Sequence, residues 1–335
     1  MKKSLMTLGV LALFVLMAYG QEKKFALYSV AFYNMENLFD TIHDEGKNDY
    51  EYLPNGTNQW NTMKYKAKLK NMSEILSLLS TDKLPMGPAI IGVSEIENYR
   101  VLEDILKQPA LADRGYQYVH YEGEDQRGVD CAFFYNPKLF ELTNSKLVPY
   151  VYINDTIHKT RGFLIASGNI AGEKMHFIVN HWPSRAAASP ARERAGEQVR
   201  AIKDSLLRED SAAKIVIMGD MNDDPMDKSM AVALGAKRKP ADVGPTDLYN
   251  PWWDTLKKGY GTLMYKGKWN LFDQIVFTGN LLGTDRSTLK FYKHEIFRRD
   301  FMFQKEGKYK GYPKRTQAGG VWLNGYSDHL SLIHI

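Results

Sequence analysis

Carboxylate, amide and histidine side chains recur in this sequence at the borders of short apolar runs. Such side chains hold hard divalent cations through oxygen and move protons near neutral pH. They are spread over most of the chain, so a shared site would have to be assembled by folding. The candidates are Asn34, Glu36, Glu95, Asp130, Asn180, His181, Asp220, Asn222, Asp273, Asp328 and His329.

Each candidate also has an ordinary structural explanation. Asp220 and Asn222 follow Gly219 and fit an Asx-type turn. Asp328 and His329 fit a cap before the last apolar run, and a lone Glu after a strand is usually a surface residue. Seven such clusters, all at predicted strand borders, favour a common cleft, because loops at strand ends of layered α/β folds meet at one edge.

Short apolar runs bounded by turn residues predict the strands that position these side chains. Two sections, 139–152 and 161–179, have the pattern of hairpins, which favours antiparallel pairing. Amphipathic helices are predicted at 64–80, with Asn61 or Thr62 as the N-cap, and at 190–207. We predict a layered α/β sandwich in one domain, 21–335. The predicted strands are 25–32, 88–93, 129–135, 174–179, 214–218, 273–277 and 330–335.

The composition is that of a globular protein, with 335 residues, 44 Lys and Arg against 39 Asp and Glu, and 44% hydrophobic residues. It excludes collagen-like, disordered and multi-span membrane proteins. Because Cys131 is the single cysteine, a disulfide framework and a multi-cysteine zinc or iron–sulfur site are excluded. Oxygen ligands remain, and these suit Mg²⁺, with Mn²⁺ or Ca²⁺ as alternatives.

Residues 1–20 have the pattern of a secretory signal peptide. Lys2 and Lys3 precede an apolar run at 5–17, and Ala-Tyr-Gly at 18–20 offers small residues for cleavage before Gln21. A retained membrane anchor is the weaker interpretation, because a spanning helix needs roughly 20 apolar residues. We expect an exported protein, periplasmic or secreted, cleaved near Gly20 and without a stable membrane anchor.

Positive charge is concentrated in residues 286–315, which contain ten Lys and Arg against three Asp and Glu. This basic stretch fits either contact with a polyanion or a solvated loop. Its interleaved aromatic side chains fit base stacking, but packing is the favoured explanation for the majority of them. These side chains are Tyr292, Phe297, Phe301, Phe303, Tyr309 and Tyr312.

Together these segments resemble the motifs of the endonuclease/exonuclease/phosphatase superfamily, the deoxyribonuclease-I-like metal-dependent phosphoesterases. The segments occur in the family's order and span the predicted mature chain. The resemblance implies a four-layer α/β sandwich, in which two packed mixed or antiparallel sheets are flanked by helices. The matching segments are 33–38 (Tyr-Asn-Met-Glu-Asn-Leu), 92–95 (Gly-Val-Ser-Glu), 127–130 (Arg-Gly-Val-Asp), 179–184 (Val-Asn-His-Trp-Pro-Ser), 218–223 (Met-Gly-Asp-Met-Asn-Asp), 273–275 (Asp-Gln-Ile) and 327–330 (Ser-Asp-His-Leu).

The resemblance implies a metal site. Glu95 corresponds to the principal ligand, Asn34 and Glu36 complete or orient the metal shell, and Asp328 is a further ligand or support. Where the family's first motif often has Asp, this chain has Glu36, whose longer reach changes the metal geometry.

The resemblance also implies catalytic and substrate-binding residues. Asp220 and Asn222 correspond to the pair that positions the attacking water and contacts the scissile phosphate. His329 corresponds to the phosphate-contacting or acid–base histidine, with Asp273 as the carboxylate that orients it. The remaining implied residues are the second histidine with its carboxylate partner and two phosphate contacts: His181, Asp130, Arg127 and Asn180.

The leading hypothesis is an exported, divalent-metal-dependent phosphodiesterase, an endonuclease that favours DNA over RNA and acts as a monomer. One alternative is a phosphatase or phosphodiesterase for a phospholipid head group or another small phosphoester; residues 301–303 are the single candidate for an apolar membrane-inserting hairpin. Others are a catalytically inactive exported binding protein and a glycosidase that uses Glu95 and Glu97.

Overall fold

The computed structural model describes residues 26–153, 155 and 157–335, so the predicted signal peptide lies outside the described residues. Seventeen strands are present in this part of the chain. In order they are β1 Val30–Leu38, β2 Ile90–Ile96, β3 Gln117–His120, β4 Asp130–Tyr135, β5 Glu141–Val148, β6 Phe163–Ile170, β7 Glu173–His181, β8 Lys214–Asp220, β9 Ala236–Lys237, β10 Leu248–Tyr249, β11 Leu263–Tyr265, β12 Lys268–Asn270, β13 Asp273–Thr278, β14 His294–Phe297, β15 Gln317–Ala318, β16 Val321–Trp322 and β17 Ser331–His334.

Four α-helices and one short π-helix accompany these strands. The two predicted helices are confirmed with small shifts, as α1 and α3 below, and the Asn61 side chain caps α1 by accepting a hydrogen bond from the backbone of Lys64. The helices are α1 Thr62–Leu78, α2 Tyr99–Leu106, α3 Ser189–Glu209, α4 Trp252–Lys257 and the π-helix Ser229–Leu234. None of the described helices is long and apolar enough to cross a membrane.

The strands form two large mixed sheets and two small hairpins. The first sheet has the order β14-β17-β1-β2-β4-β3, and the second has the order β5-β6-β7-β8-β13-β10-β9. The predicted hairpin at 161–179 is the antiparallel pair β6 and β7. Two pairs at the sheet centres, β1 with β2 and β7 with β8, are parallel.

Three hydrophobic clusters hold four layers together. The inner faces of the two sheets meet through residues such as Phe32, Phe133 and Phe177. The outer face of the first sheet packs on α1 and α2, where Leu69 and Met72 are buried. The outer face of the second sheet packs on α3, which buries Val199. Burial on both faces explains why the central strands read as continuous apolar runs, and the predicted four-layer sandwich is confirmed.

Strand boundaries differ from the prediction where polar residues follow the apolar runs. The first strand was predicted at 25–32, but β1 is Val30–Leu38 and includes Asn34 and Glu36. Its pairing with β2 is irregular between Asn34 and Leu38. An irregularity of this kind re-aims side chains at a sheet edge, and here it turns the polar end of β1 toward the neighbouring strand ends.

Candidate active site

Neighbouring strands of the second sheet place three candidate residues side by side. His181 on β7 pairs with Asp220 on β8, and Asp220 pairs with Asp273 on β13. All three end or begin their strands at the same edge. Strand register therefore assembles these residues although they are separated by up to 92 positions (273 − 181) in the chain.

Glu95, His181 and Asp220 form a cluster in which one potential ligand atom from each lies within 4.8 Å of the others. The Nε2 atom of His181 is 3.6 Å from Oε1 of Glu95 and 3.7 Å from Oδ2 of Asp220. The amide of Asn34 donates to both carboxylates, at 3.1 Å each. The two carboxylates offer oxygen ligands of the kind that suits a divalent cation such as Mg²⁺ or Mn²⁺, and the Asn34 amide holds them in place.

Backbone strain is concentrated at the same edge. Glu36, Glu95 and Asn222 have left-handed backbone angles, with φ of 43°, 58° and 51°. A non-glycine residue in this region costs about 1–3 kcal/mol and persists where the surroundings fix it. Asn222 is held by its backbone N–H, which donates to Asp220 at 2.9 Å, and by its side chain, which donates to the carbonyl of Trp182. These left-handed backbone conformations therefore set the direction of side chains at the site.

A second cluster contains His329, Asp273 and Asp220. The Nδ1 atom of His329 lies 2.7 Å from Oδ2 of Asp273, and its Nε2 atom lies 3.8 Å from Oδ2 of Asp220. Burial alone lowers the pKa of His329, but the carboxylates of Asp273 and Asp220 raise it more, so the net pKa is well above the ordinary value. The predicted pairing of His329 with Asp273 is confirmed by this geometry.

The two histidines of the site have opposite electrostatic environments. Burial lowers the pKa of His181, and the nearby Arg161 and Arg127 lower it further. Its Nδ1 atom is buried and has no hydrogen-bond partner among the described residues. At neutral pH His181 is therefore neutral and His329 carries a proton, which gives the two rings different chemistry.

Asp220 is suited to exchange a proton or to bind a cation. Burial raises its pKa, His329 lowers it and Asp273 raises it, with a result of about 7. Both of its oxygens have partners, since Oδ1 accepts from the backbone of Asn222 and Oδ2 accepts from Asn34. Asp220 thus links the metal-type cluster to the His329–Asp273 pair.

The predicted partnership of Asp130 with His181 is wrong. Asp130 lies 3.2 Å from Nε2 of His120 and accepts the backbone N–H of Gly123. No hydrogen bond or ion pair joins Asp130 to His181 anywhere in the described residues. The reason is the pairing of β3 with β4, which sets His120 opposite Ala132, two residues from Asp130 and on the same face of the sheet.

The two residues predicted to contact phosphate are placed differently from each other. The amide of Asn180 is buried and donates to the carbonyls of Ile178 and Met218, so its N–H groups are already used and the predicted contact is not supported. The side chain of Arg127 is half exposed beside Asp125, at 3.4 Å. It lies close enough to influence His181, so Arg127 remains available to an anion.

Glu36 and Asp328, predicted to hold metal, instead share the guanidinium of Arg315. Its Nε donates to Glu36 at 2.9 Å and its Nη2 donates to Asp328 at 2.7 Å. The backbone N–H of Thr316 binds the second oxygen of Glu36 at 2.6 Å. Burial raises the pKa of Glu36 to about 7, and Lys68 and Arg315 counteract the rise. The role of these carboxylates in holding or supporting a metal ion stays a prediction, and in the structure an arginine lies between them.

Sequence reasoning missed three buried or half-buried cations at the site. Lys68 extends from α1 to bind Thr316 and the carbonyl of Tyr326. Arg161 is buried, pairs with Asp125 at 3.1 Å and donates to the carbonyl of Trp182. Arg315 was recognised only as part of the basic stretch. A lysine at a core position of the α1 stripe was an available signal, because a fully buried lysine requires partners.

A cavity of about 1080 Å³ adjoins the site, and we call it the side cavity. Its walls come from the segments 51–60, 263–266 and 304–323, and Glu36, Asn37 and Asp328 form its border with the site. Its aromatic lining residues are Tyr52, Trp60, Tyr265, Tyr309 and Tyr312. The side cavity is thus the space beside the clusters that can hold an organic group.

The basic stretch contributes Lys308 and Arg315 to the lining of this cavity, while two of its other arginines are engaged elsewhere. Arg299 pairs with Asp82, and Arg298 stacks on the rings of Tyr260, Trp269 and Phe303. Of the six aromatic side chains, Phe297 and Phe303 contribute to the core, whereas Tyr292, Phe301 and Tyr309 are exposed, so the prediction that the majority pack is not confirmed. Residues 301–303 are not an exposed apolar hairpin, because Met302 is buried.

Glu97 does not form an acid–base pair with Glu95. It is buried and accepts the backbone N–H of Asp40 at 2.7 Å. Burial and Asp40 raise its pKa to about 9, so it is protonated at neutral pH. Glu97 fixes the loop after β1, and the glycosidase alternative loses its second carboxylate.

Comparison with known proteins agrees with this fold and site. The model of the Endonuclease/Exonuclease/phosphatase family matches residues 29–335, so the chain belongs to this family. The site is accordingly that of a hydrolase acting on phosphoester bonds, in a family that depends on divalent metals. None of the curated proteins compared with this chain matches it.

Solved structures with the same fold are distant in sequence. A mannosyl-6-phosphatase of Bacteroides thetaiotaomicron is 14% identical, with a TM-score of 0.57 and coverage of 92% of this chain and 99% of that chain. D. rerio TDP2 carrying 14 humanizing mutations is 14% identical, with a TM-score of 0.55 and coverage of 92% and 97%. The human Nocturnin catalytic domain is 15% identical, with a TM-score of 0.50 and coverage of 92% and 93%.

Proposed function

We propose that this chain is a divalent-metal-dependent phosphoesterase that hydrolyses its substrate with water. The observation that carries the proposal is the cluster of Glu95, His181 and Asp220 around the amide of Asn34. Glu95 and Asp220 would hold the ion, with Mg²⁺ favoured, and Asn34 and His181 lie beside them. A bound divalent ion supplies Lewis-acid polarisation of a phosphoryl oxygen and lowers the pKa of water.

The chain's own residues position and neutralise the phosphate. His329, held at Nδ1 by Asp273, presents a protonated Nε2 toward Asp220 and can donate to a phosphoryl or leaving-group oxygen. Such a positioned acid contributes roughly 10²–10⁴ in rate. Asn222 is fixed beside Asp220, and Arg127 is available at the rim. A covalent nucleophile is unnecessary in this scheme.

We infer that the organic part of the substrate is compact and enters the side cavity. The ionisable groups that line it are Glu36, Glu51, Glu306, Asp328, Lys266, Lys308 and Arg315, four acids against three bases. A polyanionic strand would gain little from such a lining, since strand binding depends on an excess of positive charge. Aromatic and amide side chains suit a neutral ring, so a sugar or nucleoside phosphoester is the favoured substrate class.

A nucleic-acid endonuclease, with DNA preferred to RNA, is the second candidate. The exposed Arg127 beside His181 favours it. A structure of D. rerio TDP2 complexed with single-strand DNA product shares this fold, with a TM-score of 0.52 and 14% identity. We further propose that the protein acts after export, which rests on the pattern of residues 1–20, and that it acts as a monomeric single catalytic domain.

Substrate hydrolysis with and without chelator tests these proposals. We expect bis-p-nitrophenyl phosphate, sugar phosphates and nucleoside monophosphates to be hydrolysed in Mg²⁺ and not in EDTA. Turnover that survives EDTA would contradict metal dependence. Efficient cutting of plasmid DNA, with a steep salt dependence and no turnover of small esters, would favour the endonuclease instead.

Substitution of a cavity tyrosine tests the place of the organic group. Tyr309→Ala should raise KM for a nucleoside phosphate by about 5- to 150-fold, because ring stacking contributes about 1–3 kcal/mol. Tyr292→Ala is the matched control, since Tyr292 is also exposed but does not line the side cavity. Equal effects of the two substitutions would remove the side cavity from substrate binding.

A further inference from the structure

Arg315 lies between two carboxylates that both border the catalytic clusters. Its Nε binds Glu36 at 2.9 Å and its Nη2 binds Asp328 at 2.7 Å. Asp328 is itself 3.8 Å from Nε2 of His329. The guanidinium therefore occupies the position that a cation bound by Glu36 and Asp328 would take.

Both carboxylate oxygens of Glu36 already have hydrogen-bond partners. One of its oxygens accepts from Arg315 and the other accepts from the backbone of Thr316. Lys68 is fully buried and binds the hydroxyl of Thr316 at 2.5 Å, which places a second positive charge near Glu36. Two carboxylates are thus balanced by two side-chain cations without any metal ion.

Arg315 also faces the place where substrate would lie. Its side chain is 45% exposed and lines the side cavity. Within the described residues its Nη1 atom makes no hydrogen bond, so two N–H groups are left for another acceptor. A guanidinium stays charged at all relevant pH values and presents a planar set of donors that matches phosphate oxygens.

We propose that Arg315 is a substrate-facing cation that takes the place of a second divalent ion between Glu36 and Asp328. The chain then binds one ion, at Glu95 and Asp220, and the guanidinium supplies the second positive charge next to the phosphate. This proposal rests on the proposed phosphoesterase function. It turns two predicted metal ligands into the anchor of a substrate-binding arginine.

Binding of Mn²⁺, followed by electron paramagnetic resonance and calorimetry, tests the proposal without measuring activity. Wild-type protein should bind one ion, and Arg315→Met should bind a second, weaker ion because the two carboxylates are freed. Arg315→Lys is the matched control that keeps the charge, and it should still bind one ion. Glu36→Gln in the otherwise wild-type protein should leave the single ion in place.

Two results would overturn the role of Arg315. Wild-type protein that binds two ions, one of them lost in Glu36→Gln, would show that Glu36 is a metal ligand. A single ion in both wild type and Arg315→Met would show that the guanidinium does not exclude a second ion. Glu95→Gln tests the phosphoesterase proposal separately. This variant should lose the ion held by Glu95 and Asp220, whether or not Arg315 takes the place of a second ion. If Arg315→Met fails to fold, the comparison of wild type with Glu36→Gln still decides.

Discussion

Replacing Asp273 by Asn isolates the contribution of one buried carboxylate to the site. Asp273 is fully buried, and its Oδ2 lies 2.7 Å from Nδ1 of His329. The substitution keeps the size of the side chain and removes its charge. The amide can also present N–H to Nδ1, which then accepts a hydrogen bond, so that the ring is held in its neutral form with its proton on Nε2.

The expected size of the effect follows from electrostatics. Two unit charges about 4 Å apart attract by about 4 kcal/mol at an effective dielectric constant near 20. At 1.36 kcal/mol for each tenfold change, this is roughly a thousandfold in the protonation equilibrium of His329. We therefore expect kcat to fall by about 10²–10⁴, with a smaller change in KM.

The pH dependence should shift in a defined direction. The pKa of His329 is raised well above its ordinary value in the wild type, so the protonated ring persists through neutral pH. In Asp273→Asn the alkaline loss of activity should move to lower pH. Profiles of kcat against pH, with titration of ¹³C-labelled histidine by NMR, measure both shifts, and circular dichroism confirms the fold.

The reasoning is refuted by a specific result. If Asp273→Asn loses less than tenfold in kcat and keeps the wild-type pH profile, Asp273 has no part in holding the proton on His329. Asp273→Ala serves as a second variant, because it removes the hydrogen bond without offering an amide. A similar loss in both variants identifies the missing charge as the cause, whereas a loss in the amide variant alone identifies the N–H that the amide presents to Nδ1.

Three further changes test the framework of the site. Arg161→Met should lower the free energy of unfolding by up to about 3–5 kcal/mol, because it removes the buried cation that pairs with Asp125 and leaves only the half-exposed Arg127. Urea denaturation should show partial recovery in the double variant with Asp125→Asn. Burial and His294 lower the pKa of His334 in the folded protein. As the pH falls below about 6.5, this histidine is therefore protonated in the unfolded chain but not in the folded protein, and the free energy of unfolding falls by up to about 1.4 kcal/mol per pH unit. His334→Leu should reduce this loss of stability between pH 6.5 and 5. Gly219→Ala should reduce stability and activity together, since a Cβ atom would lie 2.3 Å from the carbonyl oxygen of Asn180; an unchanged melting temperature and kcat would show that β7 and β8 separate at no cost.

The layered fold was predictable because its determinants are local. The runs of apolar residues at 214–218 and 273–277 are buried on both faces, and such strands need no partner to be recognised. The α1 helix was predictable from its stripe of apolar side chains and from Asn61 as its N-cap. Residues at the borders of these elements, such as Glu95 and Asp220, were predictable as a group, because strand ends of this fold share an edge.

The pairings within the site were decided by tertiary structure. Asp130 was assigned to His181 from the resemblance, yet the pairing of β3 with β4 places it beside His120. Register changes of one residue redirect a side chain, and no local pattern encodes them.

The sequence by itself determined the layered fold, the residue types of the site and their oxygen-rich chemistry. Only the tertiary structure decided which carboxylates have a side-chain cation as their neighbour. Glu36 and Asp328 have the same side-chain chemistry as Glu95 and Asp220, but Arg315 arrives beside the first pair from a segment far along the chain. Because the charge state and availability of a carboxylate depend on neighbours in space, its role was fixed by folding and not by its motif.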